Sequence, residues 1–349
     1  MAEIHDIDPV VKEKMKKNLV YVGIFSIVMM FAGFTSAYIV LMGDSFWLKY
    51  PMPTAFWIST AIIILSSITY ILGIGAARKD NLGAAKGLMG LTVVLGALFA
   101  YFQFKGYGEL IDKGINPFNN HIIVTDGRYG DYFEIKYKNN FVEVDGNKFL
   151  LKGKEMSEEE FNDLKNFTNQ FVPAKQTKAL SVKSDNNFEL FLNSEPVLIK
   201  NGKLSKNDST EFEFIDELRL SQLALNIRDK RGDFFAKGNY GEDFKIYYKG
   251  VELSYKNRKL EYQGKELSNF LQIKATETAD SASAMLFIIT FLHLIHVIIA
   301  LIYLVTMFYR TVRGDFTSKD TLSLRLGAIF WHFLGILWLY LLLFLIFIH

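Results

Sequence analysis

Five stretches of the chain carry no Asp, Glu, Lys or Arg: residues 18–43, 50–77, 87–103, 281–309 and 326–348. A helix crossing the hydrocarbon core of a bilayer needs about 20 apolar residues, within a range of roughly 17–25. Four stretches clear that length, and the third is extended at its start by Ala84 and Ala85. Soluble helices keep a polar stripe for water, whereas these are apolar on all sides, so five membrane-spanning helices are expected. The first stretch is too long for the apolar region of a signal peptide and no small-x-small cleavage site follows it. It is expected to stay as an anchor.

Residues 107–280, between the third and fourth stretches, follow a different period. Phe133, Ile135 and Tyr137 alternate with Glu134, Lys136 and Lys138; the pattern recurs at Phe188, Leu190 and Leu192 and at Phe244, Ile246 and Tyr248. Residues two apart share one face of a strand, so this part reads as antiparallel sheet. Asp145-Gly146 and Asn201-Gly202 are dipeptides that tight hairpin turns favour. One helix is expected here, because Ser157 and Glu160 have capping-box spacing and Phe161, Leu164, Phe167 and Phe171 follow at helical intervals.

Residues 127–157 also align without gaps on residues 238–268. Twelve of the 31 positions are identical, among them Gly127/Gly238, Tyr129/Tyr240, Gly130/Gly241, Phe133/Phe244, Ile135/Ile246, Tyr137/Tyr248, Gly153/Gly264, Glu155/Glu266 and Ser157/Ser268. Two copies are too few for a solenoid, so the expectation is two related β subdomains, or one sheet built from two halves. The expected fold is an all-α transmembrane five-helix bundle with an inserted β-rich external domain containing an internal duplication. Its parts are an amino-terminal segment (1–17), helices 1–3 (18–106), the insertion (107–280) and helices 4–5 (281–349).

Lysine and arginine near the membrane ends set the orientation. Lys12, Lys14, Lys16 and Lys17 precede helix 1; Arg78, Lys79 and Lys86 lie between helices 2 and 3; Arg310, Arg313, Lys319 and Arg325 lie between helices 4 and 5. The connection from helix 1 to 2 holds only Lys49, and nothing basic follows helix 5. The expected topology has a cytoplasmic amino terminus, with residues 107–280 and His349 on the external side; for a bacterial member of the family resembled below, that implies the periplasmic side of the inner membrane. Gly83-x-x-x-Gly87 and Gly33-x-x-x-Ala37 have the small-residue spacing that lets helices approach closely. Trp47, Trp57, Tyr101 and Tyr107 fall near the expected interfaces.

Charge and composition narrow the function. The 349 residues include 39 Lys+Arg and 37 Asp+Glu, and a net charge of +2 argues against a nucleic-acid partner. Residues 107–280 hold 26 basic and 29 acidic side chains, a net of −3. With no cysteine, the chain has no disulfide, thiol nucleophile, cysteine-ligated zinc or iron–sulfur cluster of its own. The insertion shows one histidine, His121, and no nucleophile elbow, P-loop or EF-hand sequence. Gly127-Arg-Tyr-Gly precedes no helical pattern. An external adhesive or docking role is the default reading.

Within the apolar stretches the titratable groups of interest at neutral pH are His293, His296 and His332. His293 and His296 share a helix face. At about 1.5 Å rise per residue they lie roughly 15–20 Å from the outer interface, and all three histidines could sit near one depth. Haem or metal ligation would use their nitrogens, but His293-Leu-Ile-His296 lacks the glutamate of H-E-x-x-H. Proton conduction would need relay groups above and below. The third reading is hydrogen bonding across helices or to an adjacent subunit.

Three segments resemble subunit III of haem–copper oxidases. Phe291-Leu-His293-Leu-Ile-His296-Val297-Ile298 is similar to that family's H-x-x-H-V segment. Trp331-His332-Phe333-Leu-Gly-Ile-Leu-Trp338-Leu339 is similar to its W-H-F-V-D-x-V-W-L segment. Ser26-Ile-Val-Met-Met-Phe31-Ala-Gly33-Phe34 is similar to its S-E-V-x-F-F-x-G-F segment. The resemblance covers residues 18–105 and 280–348, and residues 107–280 have no counterpart in the usual member.

The resemblance implies a five-helix form of a non-catalytic subunit of a proton-pumping terminal oxidase in aerobic electron transport, oxidising cytochrome c or quinol. Such a subunit packs against subunit I within a complex that also holds subunit II; haem and copper belong to those partners, and phospholipid is a family ligand. Two family acids are absent, one falling at Ile27 and the other at Gly335. Residues 107–280 would dock a neighbouring respiratory complex, as in a supercomplex, or a cytochrome c. The rival readings are a non-respiratory assembly or sensor protein with an external docking domain, and a transporter, which would show broken helices and a polar midplane site.

Overall fold

The computed structural model describes residues 9–113, 115, 117, 122–123, 133–145, 148–172, 183, 185–192, 195–200, 202–206, 211–212, 214–230, 235–236, 240–256, 259–278, 281–316 and 321–348. Among them the chain begins α1 (Pro9–Asp44), β1 (Phe46–Lys49), α2 (Thr54–Arg78) and α3 (Leu82–Asp112). Next come β2 (Ile122–Ile123), β3 (Phe133–Tyr137), β4 (Asn140–Asp145), β5 (Lys148–Leu151), β6 (Lys154–Glu155) and α4 (Glu158–Asn169). These are followed by β7 (Phe188–Leu192), β8 (Glu195–Pro196), β9 (Leu198–Lys200), β10 (Lys203–Ser205), α5 (Phe214–Arg228) and β11 (Phe235–Ala236). The order continues with β12 (Lys245–Tyr248), β13 (Val251–Glu252), β14 (Ser254–Lys256), β15 (Lys259–Tyr262), β16 (Lys265–Glu266) and α6 (Asn269–Thr278). It closes with α7 (Ser281–Arg313) and α8 (Leu322–Phe347).

Five helices, α1, α2, α3, α7 and α8, are long and apolar enough to cross a membrane. They run past the uncharged stretches because basic residues at their ends can stay helical while their heads reach water. The chain divides into two compact units: Met1–Leu41, Met52–Glu109 and Met285–His349 form one, and Met42–Pro51 with Leu110–Ala284 forms the other.

In the helical unit α2 and α8 pack most extensively. The buried side of α2 presents Ser59, Thr60, Ile63, Ser66, Tyr70 and Gly73. Glycine permits two close approaches on α3. A Cβ at Gly96 would come within 2.8 Å of Leu301 and Trp331, and one at Gly106 would overlap Phe56. At two of the small residues singled out in the sequence, Gly33 and Gly87, no other part of the described residues comes within 4 Å of the Cβ position. The expected interfacial aromatics divide: Trp57 and Tyr101 are exposed, whereas Tyr107 is buried and donates its hydroxyl to Thr290 at 3.2 Å. Trp47, in the other unit, is fully buried.

The second unit is rich in strands, as the alternating pattern requires. One sheet has the order β6-β5-β4-β3-β7-β8. Phe133, Ile135, Tyr137, Leu190 and Leu192 turn one face of it into a core shared with Leu164 and Phe171 and with Leu220, Leu223 and Ile227 of α5. Helix α4 starts on the expected capping box, with Ser157 and Glu160 each bonding the other's backbone N–H. Two further helices, α5 and α6, add to the one expected. Smaller sheets have the orders β1-β12-β13 and β14-β15-β16, and β9 pairs with β10 and β2 with β11. The pairings Asp145↔Lys148 and Lys200↔Lys203 fit hairpins at the two sequence-marked turns, although Gly146 and Asn201 lie outside the described residues.

The elements recur at a spacing of 111 residues: β5 and β15, β6 and β16, and the first residues of α4 and α6 each stand that far apart. So do β3 and β12 within one residue, and β13 with β14 spans the counterpart of β4. Lys138-Asn139 and Lys249-Gly250 turn the equivalent hairpins, all four with φ between 47° and 76°. Two successive residues at positive φ are what a two-residue type I′ hairpin demands. Gly127, Tyr129, Gly130 and Gly238 lie outside the described residues.

Candidate functional site in the membrane helices

The three histidines of the apolar stretches do not form one cluster. His293, on α7, is fully buried, and its Nε2–H donates to the Leu334 carbonyl of α8 at 3.0 Å. A carbonyl can only accept, so this bond fixes the ring's tautomer and leaves Nδ1 as an acceptor. That atom has no hydrogen-bond partner among the described residues. Rings surround it: Trp338 at 5.4 Å, Phe99 at 6.1 Å and Phe31 at 6.5 Å between centroids. His296 turns its Nδ1–H onto Leu292 of its own helix at 2.7 Å and packs near Phe31 at 6.1 Å. Val297, between these contacts and the next turn, is fully buried.

His332 lies two residues from Leu334 along α8 but serves another side. Its ring stands 6.2 Å from Tyr70 of α2, and it borders a crevice of about 310 Å³ with Thr60, Ser67 and Gly335. A Cβ at Gly335 would meet only ordinary contacts, Ile63 and Ser67 at 3.5 Å. Among the described residues no group of three or more His, Cys, Asp or Glu could hold a metal ion. One nitrogen each of His293 and His296 is engaged by a backbone carbonyl.

The tryptophans of α8 do join helices. Trp331 donates Nε1–H to Ser66 at 3.1 Å, and Trp338 donates to Thr60 at 2.9 Å. Both indoles are buried, and Trp338 also meets Phe56 at 5.4 Å and Phe99 at 5.7 Å. Phe333 packs beside Phe330 at 6.4 Å. On α1 the residues separate by face. Phe31 is buried and Ile27 half-buried on the packing side, while Ser26 and Gly33 are exposed. Helix α1 is held at two further points, by Tyr340 donating to Thr35 at 3.2 Å and by Arg325 donating to Glu13 at 2.9 Å.

The hydroxyl partners of the indoles were not singled out in the sequence, and neither was Gln103, which donates to Ser59 at 2.8 Å. Their signal was present: Ser59, Thr60, Ser66 and Thr69 recur at helical spacing, and a polar residue in hydrocarbon usually turns to the protein interior. Between α1, α7 and α8 lies a second crevice of about 360 Å³, walled by Leu19, Gly23, Ala300, Tyr303, Gly327 and Phe330.

Comparison with known proteins bears on the same helices. Residues 263–349 match the family described as cytochrome c oxidase subunit III. A protein of Rickettsia felis named "Probable cytochrome c oxidase subunit 3" is 39% identical over 57 residues, covering 16% of this chain and 20% of the relative. The cytochrome bo(3) ubiquinol oxidase subunit 3 of Pseudomonas aeruginosa is 37% identical over 60 residues, covering 17% of this chain and 29% of the relative. The chain thus spans less than a third of the length of these curated relatives. The similarity to cytochrome c oxidase subunit III thus lies in the carboxyl-terminal region of the chain. The match contains the α7 and α8 segments and begins at residue 263, inside the part expected to lack a family counterpart. The α1 segment lies outside it.

Proposed function

We propose that this chain is a subunit III of a proton-pumping haem–copper terminal oxidase in aerobic electron transport, with no active site of its own. The observation that carries this reading is the family match over α7 and α8, the two helices that supply His293, Trp331 and Trp338 to the centre of the bundle. In this role the bundle braces subunit I, in a complex with subunit II, and those partners hold haem and copper. The crevice of about 360 Å³ is apolar and suits a phospholipid acyl chain.

The membrane is the bacterial inner membrane, with the amino terminus cytoplasmic and the β-rich unit and carboxyl terminus periplasmic. Two contacts support the relative sides. The α1–α2 connection belongs to the same compact unit as residues 110–284, and Arg325 at the start of α8 meets Glu13 at the start of α1. The positive residues before α1 then select the cytoplasm. The β-rich unit is a duplicated fold, supported by elements and positive-φ turns that repeat at one spacing. Its role is docking to a neighbouring respiratory complex or a cytochrome c. Absorption spectroscopy tests the assignment: the chain purified alone should show no Soret band, and a haem spectrum belonging to this polypeptide would refute it.

A further inference from the structure

The two halves of the β-rich unit obtain one strand from different places. In the first half β3 lies between β4 and β7, and β7 comes from the chain that follows α4. In the second half no such chain exists, because α6 ends at Thr278 and the membrane helix α7 starts at Ser281. The place beside β12 is filled by β1, from the connection between α1 and α2.

The substitution is residue by residue. Ile135 pairs with Leu190 and Tyr137 with Phe188; 111 positions on, Ile246 pairs with Leu48 and Tyr248 with Phe46. The ring contact repeats as well, at 4.7 Å between Tyr137 and Phe188 and 4.3 Å between Phe46 and Tyr248. On the opposite face Lys136 lies 4.4 Å from the Phe191 ring centroid, and Lys49 lies 4.5 Å from that of Tyr247. Lys49 holds the place of Phe191 and Tyr247 that of Lys136, so cation and ring have changed strands and kept their contact.

We infer that residues 46–49 are the missing strand of the second half, so that residues 244–266 fold only when the membrane helices deliver it. The naming of equivalent positions rests on the proposed duplication; the requirement for β1 does not. The core is thinner here than in the first half. Gln272 stands where Phe161 stands and Ala275 where Leu164 stands, while Phe46 and Leu48 are buried to 0% and 1% exposure. Without β1, β12 would become an open edge with Ile246 and Tyr248 uncovered, a pairing template for other chains. Deleting residues 110–278 alone would in turn strand Phe46, Trp47 and Leu48, so a deletion that probes docking must also replace residues 46–49.

Hydrogen–deuterium exchange on the full-length chain tests this. Leu48→Asp should speed exchange across residues 245–266 at least about tenfold and leave residues 133–155 unchanged, and Leu190→Asp should do the reverse. Unchanged protection of 245–266 in Leu48→Asp overturns the inference. If only Leu190→Asp fails to act on its half, the strand requirement stands and the equivalence of the halves falls. Should Leu48→Asp prevent recovery of the chain, Leu48→Ala gives the same regional contrast at smaller amplitude. The cysteine-free background allows a second readout: Lys49→Cys with Lys245→Cys, a directly opposed pair, should cross-link on mild oxidation. Failure to cross-link overturns the inference independently.

Discussion

Replacing Trp338 tests the packing of α8 on α2 with a calculable outcome. Its indole N–H donates to Thr60 at 2.9 Å, and three rings, those of Phe56, Phe99 and His293, stand 5.4–5.7 Å away. Trp338→Phe keeps most of the ring contact and removes the N–H. Thr60 is not orphaned as a donor, because its hydroxyl still reaches the Phe56 carbonyl at 2.7 Å. A hydrogen bond between membrane helices contributes about 0.6 kcal/mol on average and about 1.7 at most, so Trp338→Phe should lower the folding equilibrium about three- to eighteenfold. Trp338→Ala also removes three ring pairs, at about 0.5–1.5 kcal/mol each, and leaves a void, for a total of about 3–5 kcal/mol. The assay is reversible unfolding in mixed micelles, with SDS as denaturant and circular dichroism as readout, in a double-mutant cycle with Thr60→Val. Coupling of about 0.6–1.7 kcal/mol is expected between Trp338→Phe and Thr60→Val. Effects that add within about 0.3 kcal/mol, with Trp338→Ala no worse than Trp338→Phe, would refute the packing described.

Three further outcomes are expected. A hydrophobic carbodiimide should leave α1 unlabelled between Glu13 and Asp44, where the chain has no carboxyl group, and peptide mass spectrometry would reveal a contrary adduct. Protease added to right-side-out cells should cut near residues 107–280 and spare the Lys12–Lys17 end; the reverse pattern would invert the topology. Burial pushes the Tyr240 hydroxyl up to about 12, and that hydroxyl donates to Leu253 at 2.7 Å and accepts from the Ile246 N–H at 3.1 Å. A raised value favours the neutral form in the folded state. Its contribution is therefore complete below pH about 10, the ordinary tyrosine value, and fades as pH rises through about 12. Tyr240→Phe should lower the thermal midpoint at neutral pH and flatten its fall between pH about 10 and 12, as read by circular dichroism.

The membrane helices were legible because a run of about 20 uncharged apolar residues has few other uses. Their ends were less so: charges at Lys12–Lys17 and Arg310–Arg313 interrupt the pattern without interrupting the helix. Strands β3, β7 and β12 followed from alternation. Strand β1 did not, because four residues between two membrane stretches carry almost no period, and their partner lies about 200 positions away. Helix α5 had a readable signal in Leu220, Leu223, Ala224 and Ile227, which share one helical face. Helix α6 had little, since its buried positions include Gln272, whose amide bonds the Leu260 backbone in both directions. The sequence marked the histidines and tryptophans of α7 and α8, but it could not show which side of α8 each would serve. His293 and His332 lie near the same level of α8 and meet different helices.

In the proposed role this chain braces an oxidase whose redox centres lie in other subunits. Native gel electrophoresis of mildly solubilised membranes, read by haem absorption and mass spectrometry, tests it most directly. The chain should migrate in one band with a haem- and copper-bearing subunit in equal amount. Recovery of the chain in a band free of any such subunit, while that subunit runs intact elsewhere, would contradict the account.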